Sequence, residues 1–485
     1  MAKVKFTAHN LRRLIMFIMK ALIIIVPSLM FYYTLHKYIP MPYYNRGFWL
    51  VLLFYAILLI IVSNPYDMLL IGILRKRNLQ ISYIIAITLT NFVTYMVLCL
   101  ISRKIINPSN MIFLTLAQYL IGFIMYEIAA FVYKQLYPSR DTVIIYADSA
   151  YDKDVARKFE VRKDRYTIKS VVKETEGVEK IKAEIDKYST VIIGAIDLYL
   201  RNEIIDYCYS HGKRIFVLPS INDIVLRSAH ITQINDSIMH LVKDRTLSLE
   251  QLMIKRAFDI AFSLFVLLVS SPILLIVALC IKLYDGGPIF FKQKRLTRNK
   301  ETFEIIKFRS MIVDAEKNGA QFTTNHDDRI TPIGKFIRAT RIDEIPQFIN
   351  VLRGDMSVVG PRAERVENYD LYSKLMPEFY YRTKVKAGIT GYAQIYGRYN
   401  TSHEDKARMD VYYIETYSFW NDLQLILSTL KVIFTPEATE GFSSSFFEGE
   451  EKLEDVVQNV QNSTSPENND DLDDKEQIEE NVQQK

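Results

Sequence analysis

Two adjacent carboxylates, Asp343 and Glu344, lie in a stretch that is otherwise rich in arginine, RATRIDEIPQFINVLRGDMSVVGPR. The arginines of this stretch are Arg338, Arg341, Arg353 and Arg362. Acidic side chains that are held away from water need either compensating partners or a reaction in which their charge is used. The pattern therefore predicts a site for phosphate chemistry.

The two acids cannot act in the same way. Side chains of adjacent residues on a helix point about 100° apart, so Asp343 and Glu344 could share a metal ion while one of them attacks. A carboxylate that attacks phosphorus forms an acyl phosphate and divides one difficult transfer into two easier steps. Because a carboxylate and a diphosphate repel each other, we expect Mg²⁺ and arginine to offset their charge. Pro346 is expected to end or kink a helix directly after the pair.

An Asp-Glu pair alone is common on solvated helices, but here it has polar and glycine-containing neighbours along the chain. These neighbours are KFRSM from 307 to 311, DRIT from 328 to 331, GDMS from 354 to 357, GPR from 360 to 362 and GITG from 388 to 391. Glycine permits unusual φ angles and a close approach of backbone amides to phosphate, although each glycine could equally form a structural turn.

The elements that must position these residues begin with four apolar runs, at 14–35, 47–63, 81–102 and 111–133. Each run is near the length of about 20 residues that spans a hydrocarbon core, which predicts four transmembrane helices within residues 1–138. Basic residues before the first run and in the second connection favour a cytoplasmic location for both, so the chain after residue 138 is expected in the cytoplasm. Lys20 and Glu127 are the ionisable residues inside the runs. Lys20 could snorkel to the interface or pair with Glu127, and we favour such a helix contact over a transport function.

Residues 139–250 change to short β-branched strands, at 142–149, 189–196 and 214–220, separated by helix-compatible stretches. This alternation predicts a parallel α/β domain. The first strand is followed by no GxGxxG turn, so we interpret the domain as a degenerate Rossmann-like cytoplasmic domain used for contacts or regulation. It offers a surface for a homodimer, and the oligomeric state is left open.

A fifth apolar run, Phe262 to Cys280, has basic residues on both flanks, and Ser271 and Pro272 interrupt it near the middle. Proline removes an intrahelical hydrogen bond, whereas serine hydroxyls can bond the freed backbone groups. We favour a re-entrant helix-break-helix hairpin over a straight fifth span, because a span would place one basic flank outside. The rest of the segment from 251 to 435 predicts a small mixed α/β catalytic domain that includes a strand pair around a charged turn.

Charge is distributed unevenly along the chain. The formal net charge is +5, but residues 436–485 contain 15 Asp and Glu against 3 Lys, which predicts an acidic disordered tail and leaves a basic body. Beside the apolar runs, this basic body favours membrane lipid headgroups and phosphates over nucleic acid. The three cysteines are far apart and indicate neither a disulfide framework nor a zinc site.

Several segments between about 254 and 435 closely resemble the bacterial sugar transferase family, the monotopic polyprenyl-phosphate phosphoglycosyl transferases. The segments are KRAFDIAFSLFVLLVSSP, GPIFFKQKR, KFRSM, DDRITPIGKFIRATRIDEIPQFINVLRGDMSVVGPR and KAGITGYAQIYGR. The four preceding helices and the Rossmann-like domain are similar to the long members that initiate capsule or exopolysaccharide synthesis. Two departures are Thr297 and Lys300, where the family often has glycines in a turn, and Ala363 in place of a second proline after Arg362.

The resemblance implies that Asp343 attacks the sugar-bearing phosphate of a UDP-sugar and releases UMP, and that undecaprenyl phosphate then receives the phosphosugar. It also implies a magnesium role for Glu344 with Asp343, and a re-entrant break at Ser271 and Pro272. Phosphate or substrate contacts are implied or expected for Arg338, Arg362, Lys307, Arg309 and Arg353.

These expectations describe a multi-pass protein of the bacterial cytoplasmic membrane with a cytoplasmic catalytic domain, which starts capsule or exopolysaccharide synthesis. Galactose and glucose are the favoured sugars by resemblance to the long members, and an amino or deoxy sugar is the alternative. The alternative hypothesis is a catalytically inactive membrane scaffold of a polysaccharide assembly complex, which would explain the helices but not the acidic pair with its arginines.

Overall fold

The computed structural model describes residues 8–38, 46–147, 158–159, 162–242, 247–313, 315, 327–397 and 401–433. The chain divides into two compact units, one formed by residues 1–251 with 411–434 and the other by residues 252–410 with 435–485. The predicted acidic tail at 436–485 lies outside the described residues.

The first unit begins with four helices that contain the four predicted apolar runs. They are α1 (Ala8–Tyr38), α2 (Arg46–Ser63), α3 (Lys76–Ser102) and α4 (Ser109–Leu136). By length and hydropathy, α1, α3 and α4 can each cross a membrane, whereas α2 is a shorter apolar helix. A fourth helix of spanning length, Leu249–Asp285, occurs later in the described chain.

Neutral polar side chains join the four helices inside the bundle. The Asn91 side-chain amide on α3 donates to Gln118 Oε1 on α4 at 2.7 Å. Gln118 Nε2 in turn donates to the Pro27 carbonyl on α1 at 3.0 Å and to the Tyr55 hydroxyl on α2 at 2.9 Å. Polar groups without partners are costly in hydrocarbon, so this network favours one register of the four helices.

The acidic residue of α4 has a different partner from the predicted one. Glu127 Oε2 lies 2.8 Å from Nζ of Lys76, the first residue of α3, so the predicted pairing with Lys20 is wrong. Because α3 and α4 are connected by a short segment, the start of α3 and the later part of α4 can lie at the same end of the bundle. Lys76 lies before the predicted apolar run at 81–102, so it is not among the ionisable residues inside the runs.

The bundle network gives a stability prediction. Gln118→Leu removes both Nε2 donors and leaves the Pro27 carbonyl and the Asn91 amide without this partner. We expect the free energy of unfolding in detergent to fall by about 1–2 kcal/mol, measured by denaturant titration. Thr34→Val is the matched control, because Thr34 Oγ1 bonds the Met30 carbonyl of its own helix. Equal stability of the two variants would contradict a bundle-fixing role for Gln118.

After the bundle, the first unit contains a four-stranded parallel sheet in the order β2-β1-β3-β4. The strands are β1 (Arg140–Tyr146), β2 (Tyr166–Lys173), β3 (Thr190–Ile193) and β4 (Arg214–Val217), with α5 (Val178–Asp186), α6 (Leu198–Ser210) and α7 (Ile221–Ser228) between or after them. The predicted parallel α/β arrangement is confirmed. Sequence reasoning missed β2, because it is an edge strand whose polar residues, Thr167, Lys169 and Ser170, leave no continuous apolar run.

An antiparallel hairpin, β5 (His230–Ile234) and β6 (Ser237–Leu241), follows the sheet. The first unit also includes the last described helix, α14 (Phe419–Ile433), which binds the connection between α2 and α3. Ser428 Oγ donates to the Pro65 carbonyl at 2.7 Å, and Lys431 Nζ donates to the Tyr66 carbonyl at 3.3 Å. The end of the segment predicted as the catalytic domain therefore packs within the first unit.

The second unit is built on the long helix α8 (Leu249–Asp285) and the strand pair β7 (Phe290–Leu296) and β8 (Thr302–Phe308). The remaining helices and strands, in chain order, are α9 (Pro332–Ala339), α10 (Gln347–Arg353), β9 (Ser357–Val359), α11 (Val366–Leu375), β10 (Gly388–Thr390), α12 (Tyr392–Tyr396) and α13 (His403–Glu415). β7 and β8 pair antiparallel, which confirms the predicted strand pair.

The turn between β7 and β8 keeps a left-handed conformation without glycine. Asn299 and Lys300 have φ angles of 55° and 63°. Lys300 Nζ also lies 5.7 Å from the ring centroid of Tyr369 and 5.8 Å from that of Tyr380. These cation–π contacts favour a turn that the residue types alone would disfavour.

Both ends of α8 contact the rest of the second unit. Near its start, Lys255 Nζ donates to the Val359 carbonyl at 2.9 Å, and an Asp259 carboxylate oxygen accepts from the Val358 amide at 3.0 Å. Near its end, Val277 and Ile281 are buried in an apolar cluster with Phe308, Ile337 and their neighbours. Between these contacts the helix exposes large apolar side chains, such as Leu268 and Leu275, that are over 70% accessible.

α8 continues through Pro272 as a single helix, so the predicted break between two helices is not seen. Proline at 272 has no amide hydrogen for the Leu268 carbonyl, four residues earlier. Ser271 Oγ replaces that donor and lies 2.8 Å from the Leu268 oxygen. The serine before the proline therefore satisfies the freed carbonyl, which is why the helix persists, and the re-entrant topology stays a prediction.

The contacts at both ends of α8 predict its topology. In a protein with its native cysteines replaced by serine, Met253→Cys and Tyr284→Cys should be labelled by an impermeant maleimide from the same side of the membrane, since both ends are fixed to one unit. Ile105→Cys, in the connection between α3 and α4, is the control and should be labelled from the opposite side. Labelling of 253 and 284 from opposite sides would show that α8 crosses the bilayer.

Candidate active site

Asp343 and Glu344 lie in a single 3₁₀ turn, Ile342–Glu344, between α9 and α10. The expected helix boundary at Pro346 is seen, although the helix that ends there is only this short 3₁₀ turn: Ile345 is its C-cap, and Pro346 is the N-cap of α10. Arg341, immediately before the turn, has a left-handed φ of 58°, which is uncommon for a side chain of this size. The reversal at Arg341 and the start of α10 directly after Pro346 together place both carboxylates in a tight connection.

The side chain of Lys307, from β8, reaches the acidic pair. Its Nζ lies 2.9 Å from Glu344 Oε1, across 37 positions of sequence. Asn350 of α10 fixes the distance between these elements, because its side chain accepts from the Ile306 amide at 3.0 Å and donates to the Glu304 carbonyl at 2.8 Å. The buried Asn350 side chain thus bonds the β8 backbone as a neighbouring strand would. It holds β8 beside the turn that carries the acids.

Glu344 is the more acidic member of the pair. Burial acts to raise its pKa, but Lys307, Arg362 and Arg341 outweigh burial and lower the pKa of Glu344 to about 2. One of its oxygens is held by the Lys307 ammonium. Glu344 therefore contributes a fixed negative charge beside Asp343.

Asp343 has the opposite electrostatic environment. Burial and the adjacent Glu344 charge raise the pKa of Asp343 to about 6, although Lys307, Arg338 and Arg341 act against this rise. Its Oδ1 atom is buried and has no hydrogen-bond partner within the part of the chain that the structure describes. A carboxylate oxygen in that condition can accept a metal ion or form a bond to an electrophile.

The predicted arginines divide into those near the pair and one that is distant. Arg338 in the last turn of α9 acts on the charge of Asp343, and Arg362 acts on the charge of Glu344. Arg353, by contrast, is exposed at the opposite end of α10 from the acids. A seven-residue helix separates it from them by about 10 Å along the axis, so the fold does not bring Arg353 to the pair.

Arg309 is buried and bound to a residue that sequence reasoning missed. Its Nη2 pairs with Asp285 at the end of α8, and its side chain is 7% exposed. Two other nitrogens of the guanidinium, Nε and Nη1, have no hydrogen-bond partner among the described residues. Gly287 provides the space, because a Cβ there would lie 2.2 Å from Arg309 Nη1. The doubled glycine after Asp285 was the sequence signal for this packing.

Three glycines of the predicted phosphate-binding segments have a structural role. A Cβ at Gly388 would lie 2.1 Å from the Gly360 amide nitrogen, and one at Gly391 would lie 2.1 Å from the Gly360 carbonyl oxygen. The backbone of β10 and the segment after β9 therefore pack directly against each other at these positions. Of the two interpretations, a close structural approach explains these glycines.

The acidic pair is compatible with magnesium. Mg²⁺ usually binds one or two protein carboxylates and completes its shell with water and substrate phosphates. Asp343 provides an oxygen without a protein partner, and Glu344 provides a stable negative charge beside it. The described residues contain no group of three or more His, Cys, Asp and Glu that could hold a metal by themselves. The donor set suits a metal that is shared with a phosphate ligand.

Comparison with known proteins gives matches in the same part of the chain. The family model described as bacterial sugar transferase matches residues 250–436. An N-acetylgalactosaminephosphotransferase of Aeromonas hydrophila, named for UDP-N-acetylgalactosamine and undecaprenyl phosphate, is 39% identical over 219 residues, which are 42% of this chain and 52% of that protein. The galactosyl transferase CpsE of Streptococcus agalactiae is 43% identical over 194 residues, which are 38% of this chain and 42% of that protein.

A shorter relative is matched over almost its whole length. The exopolysaccharide production protein PSS of Rhizobium leguminosarum is 44% identical over 188 residues, which are 37% of this chain and 94% of that protein. The matches to the two longer relatives span about half of their length or less. Because a relative of this similarity is covered almost entirely, and because the family model matches the same segment, the chain belongs to the bacterial sugar transferase family.

Proposed function

We propose that this protein transfers a hexose 1-phosphate from a UDP-hexose to undecaprenyl phosphate, releases UMP, and so performs the first membrane step of capsule or exopolysaccharide synthesis. The observation that carries the proposal is the buried Asp343 carboxylate, which has an oxygen without a partner, a raised pKa, and cationic side chains around it. The names of two relatives support the substrate class, since one includes undecaprenyl phosphate and the other a galactosyl group.

The proposed reaction has two displacements at the same phosphorus. An Asp343 oxygen attacks the sugar-bearing phosphate, the bond from that phosphorus to the bridging oxygen breaks, and UMP departs with the bridging oxygen. An oxygen of undecaprenyl phosphate then attacks the phosphorus and displaces the Asp343 carboxylate, which is regenerated. The covalent aspartyl phosphosugar divides the transfer into two steps of lower barrier.

The environment of the two acids supports Asp343 rather than Glu344 as the nucleophile. Glu344 keeps its charge at every ordinary pH, and Lys307 engages one of its oxygens. Such a carboxylate is a weak nucleophile, because attack would break its ion pair. Asp343 has a pKa near neutrality, so its ionised form retains more basicity and is better suited to attack.

The remaining residues of the proposal hold the diphosphate. Arg338 and Arg362 would contact phosphate oxygens. For Arg309 a phosphate contact stays a prediction, since the two nitrogens without partners are buried. When bound by Asp343 and Glu344, Mg²⁺ would supply neutralisation of phosphate charge. Lys307 keeps the Glu344 carboxylate in place and lessens the repulsion between the pair and the incoming anion.

The membrane elements fit the lipid acceptor. The exposed apolar middle of α8 lies between two ends fixed to the unit that carries the acids. We therefore propose that α8 bends at Pro272 without breaking, so that it dips into the cytoplasmic leaflet and returns. The acids would then lie where a soluble nucleotide sugar and a lipid phosphate both arrive. Galactose and glucose are the proposed hexoses, and a homodimer through the α/β domain stays a prediction.

Release of UMP tests the proposal. Membranes that contain the protein are incubated with undecaprenyl phosphate, magnesium and a panel of UDP-sugars, and we expect UMP release with at least one hexose. Asp343→Asn should lower the rate by at least about 1,000-fold, because an amide cannot form the acyl phosphate. Asp370→Asn, at an exposed position of α11, is the control and should retain activity. Equal lipid-linked sugar formation by Asp343→Asn and wild type would favour the inactive scaffold.

The raised pKa of Asp343 predicts the pH dependence. Because the ionised carboxylate attacks, kcat/KM should rise as the pH increases through about 6 and fall below it. Glu344→Gln removes the adjacent negative charge that raises the Asp343 pKa, so the residual activity should have its acid limb at lower pH. Glu367→Gln on the exposed face of α11 is the control and should leave the limb in place. If the acid limb of Glu344→Gln lay at an unchanged or higher pH, that result would contradict the roles assigned to Asp343 and Glu344.

A further inference from the structure

The segment that carries Arg362 is fixed at every backbone carbonyl from Pro361 to Glu364. The four acceptors and their donors are the Pro361 carbonyl with the Gly388 amide at 2.8 Å, the Arg362 carbonyl with Arg382 Nη2 at 3.3 Å, the Ala363 carbonyl with Arg295 Nη1 at 3.1 Å, and the Glu364 carbonyl with the Leu296 amide at 3.0 Å. The Arg362 side chain itself is exposed. The backbone is therefore held while the guanidinium stays accessible.

Arg382, which donates to the Arg362 carbonyl, uses each of its three guanidinium nitrogens for a hydrogen bond to a different residue. Its Nε donates to Asp410 Oδ2 at 3.0 Å, its Nη1 donates to Glu364 Oε2 at 3.3 Å, and its Nη2 donates to the Arg362 carbonyl. The side chains of Arg382 and Asp410 are 5% and 1% exposed. One guanidinium thus joins the Arg362 backbone to two carboxylates in the interior.

Stability alone does not explain this arrangement. Removing charges from water is costly, and apolar residues of similar volume often replace such groups with no loss of stability. What an apolar group lacks is the planar fork with which arginine bonds several acceptors at fixed angles. The arrangement therefore favours a geometric role, and among the acceptors of Arg382 the Arg362 carbonyl belongs to a residue of the proposed site.

Glu364 provides a second reason for Arg382. The charges of both Arg382 and Arg362 act on Glu364, and Arg362 also acts on Glu344. Arg362 is thus exposed to two competing carboxylates, one in the acidic pair and one two residues along its own chain. While Arg382 Nη1 occupies Glu364, that carboxylate competes less for the Arg362 guanidinium.

We propose that Arg382 is a positioning residue, which fixes the backbone of Arg362 and occupies Glu364 so that the Arg362 guanidinium is directed to a phosphate beside Asp343 and Glu344. The inference rests on the proposed function for the identity of the ligand, a nucleoside diphosphate. Asp410 supports this role indirectly, because it accepts a hydrogen bond from Arg382 Nε.

A double-mutant cycle between Arg382 and Arg362 tests this role. The probe is UDP, whose equilibrium binding is measured on protein that also carries Asp343→Asn, and kcat and KM for UMP release are measured with Asp343 intact. Arg382→Lys keeps the charge but loses the fork, and it should weaken UDP binding by about 10-fold or more. In an Arg362→Ala background, the same Arg382→Lys change should have no further effect, because the residue it positions is gone.

Arg201→Lys is the matched control. Arg201 is a largely buried arginine that bonds Asp223 with two nitrogens in the other unit, so its replacement should leave UDP binding unchanged. If Arg382→Lys does not fold, Asp410→Asn replaces it in the cycle. Asp410→Asn should weaken UDP binding by a smaller factor, and it should have no further effect in the Arg362→Ala background. Equal losses with and without Arg362 would show a merely structural role and overturn the inference. Absence of UMP release by wild-type protein that binds UDP would overturn the proposed function instead, with the cycle still readable from binding.

Discussion

The ion pair between Lys307 and Glu344 is the interaction on which the candidate site depends. Two adjacent carboxylates away from water would ordinarily lose one charge, because each raises the pKa of the other. Lys307 stabilises the charge on Glu344. The repulsion between the two carboxylates therefore raises the pKa of Asp343 instead. The two acids therefore differ in pKa although they are neighbours in sequence and identical in functional group.

This electrostatic difference requires a rigid relation between β8 and α10. Asn350 supplies it, since its buried side chain bonds the backbone of β8 on both sides of Ile305. On the other side of the acids, Thr331 caps α9 by accepting from the Gly334 amide at 2.9 Å, and this helix ends at the arginines before the turn. The pair is thus held between α9, which is capped at its start, and α10, which is bonded to β8.

The membrane parts and the site are separable in the family. The matched segment covers 94% of the Rhizobium relative, so that protein has little room for a four-helix bundle or an α/β domain. In this chain the bundle has its own polar network through Asn91 and Gln118, and α14 binds the connection between α2 and α3. The first unit therefore carries specific interactions that the chemistry of the acidic pair does not require.

The sequence by itself determined what local patterns encode. Apolar runs of membrane length gave the four helices, the strand alternation gave the parallel sheet and the β7–β8 pair, and Ser271 beside Pro272 indicated how the freed carbonyl is satisfied. These features depend on neighbours within a few positions, so composition and periodicity are sufficient. The motif residues indicated the acidic pair and its chemistry through resemblance to the family.

Only the tertiary structure decided which charges meet. Lys307 reaches Glu344 across 37 positions, Glu127 pairs with Lys76 rather than Lys20, and Arg382 joins Glu364 to Asp410. Tertiary packing also separated Arg353 from the acids and assigned Gly360, Gly388 and Gly391 to backbone contact. The physical reason is that electrostatic energies depend on distance and burial in space, and no periodicity in the sequence records either quantity.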